Sequence, residues 1–374
     1  MNINLRKSCE FFGFTVNHEN ESILIFHSCS TNIYLNTDGG YCDEKHIGNT
    51  PRSIMTKGNS VANGTRYGNF IKGNRDKLMI SYRREQSHDY IMHGACGVLF
   101  EGEIHFFGGW HWAEINLSQQ HFVIETKRSG QLVKMTKKED LGIGFVYPSC
   151  GSFEMTSEYF PWFKTNVVIL CFNYYHQKSC YSFDGQLTYI GDSNHEHYMG
   201  GLAKYKTNLL TVGGLGNNQK TEILKIYKNK NFSWSIVESE FEFTLGQAFF
   251  GHSMVTVESS DINEENVLLI GGYRGGYVRT KDVFKFNGTW FPFGQLNKPR
   301  RNHNSIYWNG AVYVIGGEYG VIGPEYIFNY NTKMEIWNIK ESPDKFKTKE
   351  NWPELFRWRW PHLFIVPDSF FPDR

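Results

Sequence analysis

The chain has 374 residues, with 39 Lys and Arg against 38 Asp and Glu for a net charge of +1. A near-neutral chain that is 40% hydrophobic and 21% charged is neither extensively disordered nor collagen-like, and it carries no global field to recruit nucleic acid or an anionic membrane. Its apolar runs span four to six residues, far below the roughly 18 that cross a bilayer, so no membrane span is expected, and Phe11–Val16 is too short for a signal peptide.

An aromatic content of 16%, together with the scarcity of helical spacing among apolar residues, points to an all-β chain. One pattern organises it. Taken in order, the apolar runs are Ile23–Phe26, Ile104–Phe107, Val167–Leu170, Leu209–Val212, Val267–Ile270 and Val312–Ile315. Four of them end in a double glycine, namely Gly108-Gly109, Gly213-Gly214, Gly271-Gly272 and Gly316-Gly317. From residue 104 to residue 312 the starts advance by about 52 residues, within the range of four-stranded repeats. Glu101-Gly102 and Asn309-Gly310 are tight-turn pairs placed just before two of the runs, so a hairpin joins each run to a preceding strand. Downstream, Tyr227 precedes Trp234 and Tyr330 precedes Trp337 with six residues between, while Asp184-Gly185 and Asn287-Gly288 mark hairpins in the other two late repeats.

A double glycine after an apolar strand, followed by a tyrosine, six residues and a tryptophan, resembles the repeat of the kelch β-propeller family over about residues 93–340. The block from Cys150 through Cys171 to Cys180 and Gly185 has a looser likeness to divergent invertebrate kelch-like proteins. The resemblance implies a propeller of four-stranded blades, most simply six, with seven if an irregular blade hides in the N-terminal region. Continuous apolar runs suit such a fold, because a sheet covered on both faces has no polar side. The paired glycines belong where chains crowd at the strand end.

The tail Leu363–Val366 reads as an isolated inner strand, with Ile23–Phe26 and Asn32–Leu35 as the second and third strands of the same blade. Both termini then close one ring, and residues 1–374 form a single domain. Two insertions interrupt it. Residues 45–77 are Gly/Asn-rich with seven basic residues against one acid and read as a solvated loop or an arm for an acidic partner; residues 340–360 read as a long surface connection.

Loops joining second to third strands, and fourth strands to the next blade, share one face of a propeller. That face would collect Trp110, His111, Trp112, Tyr174, Tyr175, His176, Tyr273, Arg274, Tyr277, Arg279 and Tyr319, joined by His195, His197, Arg300 and Arg301. Tyr, Trp and Arg are the residues of binding hot spots, so a protein or peptide partner is expected there; the alternative is aromatic loops packing on one another. His195-Glu196-His197 offers two imidazoles and a carboxylate but no third ligand at a metal-like spacing. Residues 271–276 imitate a phosphate loop without a helix to follow, and no Gly-x-Ser-x-Gly, Walker or His-Glu-x-x-His motif occurs. No cofactor is expected. Relatives similar to galactose oxidase hold copper with two tyrosines, one linked to a cysteine, and two histidines; the adjacency of Cys180 and Tyr181 matches none of these ligands, so a metallo-oxidase is the alternative reading.

The seven cysteines, Cys9, Cys29, Cys42, Cys96, Cys150, Cys171 and Cys180, lack Cys-x-x-Cys spacing, which argues against a structural zinc site. Cys171 and Cys180 can face each other across a hairpin, but buried thiols are the commoner arrangement. A cytoplasmic monomer is expected, with a secreted scaffold or glycan-binding protein as the alternative; only then would the sequons at Asn20, Asn63, Asn116, Asn231 and Asn287 matter.

Overall fold

The computed structural model describes residues 10–18, 21–28, 79–84, 94–109, 119–126, 132–154, 166–215, 220–226, 232–237, 249–258, 265–274, 278–319, 329–330, 334–338, 345–348 and 361–367. Among them every regular element is a β-strand and every pairing is antiparallel. Sheet 1 runs His362–Pro367, Glu21–Ser28, Glu10–His18, Met79–Arg84; sheet 2 runs Cys96–Phe100, Glu103–Phe107, His121–Thr126, Leu132–Lys137. Sheet 3 follows with Ser149–Glu154, Asn166–Cys171, Ser179–Phe183, Leu187–Asp192, and sheet 4 with Gly201–Tyr205, Asn208–Val212, Thr221–Ile226, Phe232–Val237. Sheet 5 is Ser253–Glu258, Glu265–Ile270, Asp282–Phe286, Trp290–Gln295, and sheet 6 is Arg301–Trp308, Ala311–Tyr319, Glu335–Asn338, Lys347–Thr348 with Asn329–Tyr330 added to its second strand. A small seventh sheet joins Phe249–Phe250, Tyr273–Arg274 and Val278–Arg279. The first strand of each large sheet touches the first strand of the next, and the series returns from sheet 6 through sheet 1 to sheet 2.

The apolar runs form the second strands, and their burial explains why they are continuous. Val167, Ile169 and Cys171 pack with Leu209 and Leu224 of sheet 4, while Val168 and Leu170 between them pack with Cys96, Val98 and Phe107 of sheet 2. Sheet 5 repeats this, sending Val267 and Leu269 toward sheet 4 and Leu268 and Ile270 toward sheet 6. Alternate side chains thus meet different apolar neighbours, and each buried one stabilises by roughly 1.5–3 kcal/mol. The hairpin pairs behave as their composition requires, Glu101-Gly102 and Asn309-Gly310 all having positive φ.

The double glycines answer to a crossing chain. A Cβ on Gly108 would overlap the carbonyl oxygen of Phe145, and one on Gly213 that of Phe249, both at the entry to the following sheet. Gly109 and Gly214 then donate their own N–H groups to those same carbonyls at 2.7 and 2.8 Å. Sheet 3 keeps the left-handed backbone without the glycine: Phe172 has φ 60° and buries its ring against His197 and Trp234.

Three expectations are corrected. The tail pairs with Glu21–Ser28 as expected, Leu24 facing Phe364, but the third strand of sheet 1 is Glu10–His18, and residues 32–35 lie outside the described residues. His18 pairs with Glu21, so a two-residue connection closes this hairpin with less loop entropy than a longer excursion. Within the stretch read as a surface connection, Lys347–Thr348 is the outer strand of sheet 6, and buried Phe346 packs on Trp337. Trp234 and Trp337, equivalent in spacing, are not equivalent in place: Trp234 lies on the fourth strand opposite Leu224, whereas Trp337 lies on the third opposite Val312. The basic stretch 45–77 and Tyr227 fall outside the described residues, and Tyr330 pairs with Glu318 on the added strand of sheet 6.

Candidate functional site

At or just before the starts of successive first strands, Gly94, Tyr147, Met199, Gly251 and Asn302 all adopt left-handed backbone, with φ between 51° and 71°. Three of the five are not glycine, a conformation that ordinary residues rarely hold. A belt of main-chain bonds holds it here: Tyr147 N–H donates to Gly94 O at 2.8 Å, Gly251 to Met199 O at 2.9 Å and Asn302 to Gly251 O at 2.7 Å. These residues and the strand starts behind them line a cavity of about 200 Å³ on the axis of the series. Its wall includes Ser253, Asn304 and the imidazoles of His252, His303 and His362.

His303 Nε2 lies 2.8 Å from Ser253 Oγ, which also accepts from Ser305 Oγ at 2.9 Å. This resembles a nucleophile and its base, but the imidazole is badly placed for that work. Burial, with Arg300 and His252 nearby, holds it well below the usual histidine range. Burial likewise takes His252, beside His197, down to about 3.

Around the cavity, two loops are anchored in the same way. The loop entering sheet 4 is held by Glu222 on that sheet's third strand, which accepts from Asn194 N and Nδ2, from His195 N and Nδ1, and from His197 Nε2 at 2.8–3.1 Å. Burial would raise this carboxyl, but the bonds from His197 and Asn194 win and hold it at about 2. His197 Nδ1 meets Gly213 O at 2.6 Å, so its two ring nitrogens bridge the carboxylate and a main-chain carbonyl. The pair once weighed as metal ligands is therefore engaged with Glu222, and no group of three His, Cys, Asp or Glu competent for a metal occurs among the described residues. The loop entering sheet 6 repeats the device: Glu335 accepts from Asn297 N, Lys298 N and the Arg300 guanidinium, which also donates to Gly316 O at 3.0 Å.

The expected contact residues divide by burial. Tyr174, Tyr175 and His176 are exposed at the turn of sheet 3; the two tyrosine rings meet edge to face at 4.8 Å, and Asn173 Oδ1 accepts from the Tyr175 and His176 N–H groups. Arg274 is partly exposed and bound to Asp282 at 2.9 Å. Arg300 is wholly buried, and Arg279 and Tyr273 nearly so, which removes these three from a free surface. Tyr273 lies beneath Arg301 at 4.2 Å and Arg279 at 5.6 Å, and both guanidiniums reach the buried carboxylate of Glu318. The cause is the small sheet, in which Tyr273–Arg274 pairs with both Phe249–Phe250 and Val278–Arg279, and Tyr273 packs on Phe250. Tyr319 ends the second strand of sheet 6 opposite Asn329, while Trp110, His111, Trp112 and Tyr277 lie outside the described residues.

Sequence reasoning missed Tyr147, His252, Asn302 and His303, whose signal is the same period of about 52 residues carried by positions 94, 147, 199, 251 and 302. It also missed the carboxylate anchors Glu222, Glu318 and Glu335. Among the described residues the four cysteines are paired: Cys171 bonds to Cys180 across the second and third strands of sheet 3, and Cys96 to Cys150 between the first strands of sheets 2 and 3. Bonded to Cys171, Cys180 is not free to link to a tyrosine. No protein-family model and no curated protein matches the chain.

Proposed function

We propose that the chain is a six-bladed, kelch-type propeller whose terminal strands share one blade, and that it acts as a monomeric, non-catalytic module binding a protein or peptide through its loop face. The circuit of first-strand contacts and the double glycines under crossing carbonyls support the propeller. The observation that carries the binding role is the Tyr174–Tyr175–His176 turn, exposed yet held in one geometry by Asn173. Rigid exposed aromatic residues give contact area at little entropic cost, the property of a binding anchor. Two disulfides favour an oxidising compartment over the cytoplasm.

The test is affinity capture of the full chain from eukaryotic cells, with mass spectrometry of bound proteins and metal analysis of the same sample. Specific proteins should be retained by the wild type and lost from a Tyr175→Ala/His176→Ala variant of unchanged melting temperature. Retention of the same proteins by that variant sinks the assignment, and copper near one per chain would favour the oxidase.

A further inference from the structure

One motif of the sequence is left over by the loop-face reading. Asn287-Gly288-Thr289 has the form Asn-x-Thr, the acceptor of an oligosaccharide in a secreted chain. Of the five such sites, it is the one whose asparagine lies among the described residues. Two conditions decide whether the motif is used. The asparagine must stay outside the native fold, because a glycan is bulky and hydrated, and the chain must pass through the compartment that holds the sugar donor.

The hairpin of sheet 5 meets the first condition. Phe286 and Trp290 pair directly across it at 0% and 1% exposure, with Trp290 Nε1 donating to Thr221 Oγ1 at 2.9 Å. Between these two anchors Asn287, Gly288 and Thr289 are all exposed, and Asn287 N–H donates to Thr289 O at 3.3 Å across the turn. The space around the tip is open, since a Cβ on Gly288 would have only the Tyr205 hydroxyl within reach, at 4.0 Å. A glycan on Asn287 therefore extends into solvent without displacing a core side chain. The turn also lies away from the loop face. Ile270, beside Gly271-Gly272, pairs with Val283, whereas Val267 at the far end of the same strand pairs with Phe286.

The cysteines bear on the second condition. All four among the described residues are paired, and Cys171 and Cys180 are wholly buried. Such bonds form and persist in the oxidising secretory route, which also supplies lipid-linked oligosaccharide. We propose that Asn287 is a site of N-linked glycosylation, an inference that shares the oxidising compartment with the proposed function but not its binding surface. The Asn287 Nδ2 displaces a lipid diphosphate from the anomeric carbon of a preassembled oligosaccharide; the N–C bond forms as the C–O bond to phosphate breaks, and the amide gives up one proton. The glycan stands where Trp290–Gln295, the last strand of sheet 5, begins, and it shields that edge from pairing with another chain.

The test routes the full chain into the secretory pathway of eukaryotic cells with a cleavable leader. Free thiols are alkylated, the protein is treated with peptide N-glycosidase in heavy-oxygen water, and its peptides are mapped by mass spectrometry. Asn287 should be read as heavy-labelled aspartate. Asn287→Gln and Thr289→Ala should abolish that label at unchanged melting temperature, and Thr289→Ser should keep it. An unmodified Asn287 in folded protein with both disulfides formed overturns the site, and free thiols at Cys96 or Cys171 in folded protein overturn the compartment on which it rests. Asn287→Gln should still capture the loop-face partner, and Tyr175→Ala/His176→Ala should still be glycosylated, so failure of one reading is distinct from failure of the other.

Discussion

The loops entering sheet 4 and sheet 6 occupy the same slot with different side chains. In each, an asparagine leads the loop, a carboxylate on the third strand gathers its N–H groups, and a nitrogen-bearing side chain three residues on bridges that carboxylate to the carbonyl of a first glycine. In sheet 4 these are Asn194, Glu222, His197 and Gly213; in sheet 6 they are Asn297, Glu335, Arg300 and Gly316. What the slot requires is a bridging donor between a buried carboxylate and a carbonyl. An imidazole and a guanidinium both supply it, but the guanidinium is always charged and brings five N–H donors where the imidazole brings two ring nitrogens.

The strongest way to break the comparison is to remove the shared carbonyl geometry. Gly213→Val forces a side chain onto Phe249 O, from a backbone that valine resists, and should cost more than about 4 kcal/mol or abolish folding. Soluble yield and thermal unfolding measure it. Glu335→Gln comes next, leaving a buried guanidinium without its counter-charge at about 3–5 kcal/mol. Glu222→Gln should cost less, about 1–3 kcal/mol, because it strands no guanidinium and weakens only hydrogen bonds. Denaturant titration of both variants in one buffer checks the order, and equal losses would show that the two slots are not tuned by their bridging side chains.

Falling pH should separate them further. With Glu222 held at about 2 against an ordinary 4.5, its contribution is whole above 4.5 and disappears as pH falls through 2, about 3 kcal/mol in all. That loss should be missing from Glu222→Gln. A higher limb belongs to buried imidazoles: desolvation lowers His105 and His121, hydrogen-bonded at 2.9 Å, to about 4. Their stabilisation is complete above 6.5 and declines toward 4, so His105→Phe/His121→Phe should flatten that limb alone in acid titrations followed by circular dichroism. Smallest, Asn297→Ala, which loses the bonds from its amide nitrogen to Phe346 O and Thr348 Oγ1, should cost about 1 kcal/mol, as should Asn194→Ala through its bond to Glu222.

Much of this architecture was legible because burial on both faces leaves a continuous trace. Val267–Ile270 cannot be anything but apolar between sheets 4 and 6, and Gly108 or Gly213 cannot carry a side chain beneath the next carbonyl. The strand at Glu10–His18 was harder to place, since it precedes its partner and breaks the chain order of the other sheets. The anchors were invisible for a different reason. Glu222 and Glu335 lie 28 and 38 residues from the asparagines they hold, and an isolated glutamate in a strand reads as solvent-facing. The contact residues misled in the opposite sense, because Arg279 and Arg300 have the composition of a binding surface and the burial of a core.

The central claim is that the two ends of the chain close one circuit of sheets, which puts every anchored loop on one face. Leu24 and Phe364 are directly paired in sheet 1, so cysteines placed at both test it. Oxidation of Leu24→Cys/Phe364→Cys should cross-link the ends within a monomer, seen by mass spectrometry, and raise the melting temperature relative to the reduced form. Failure to cross-link in folded protein, or a cross-link that leaves melting unchanged, would contradict the account.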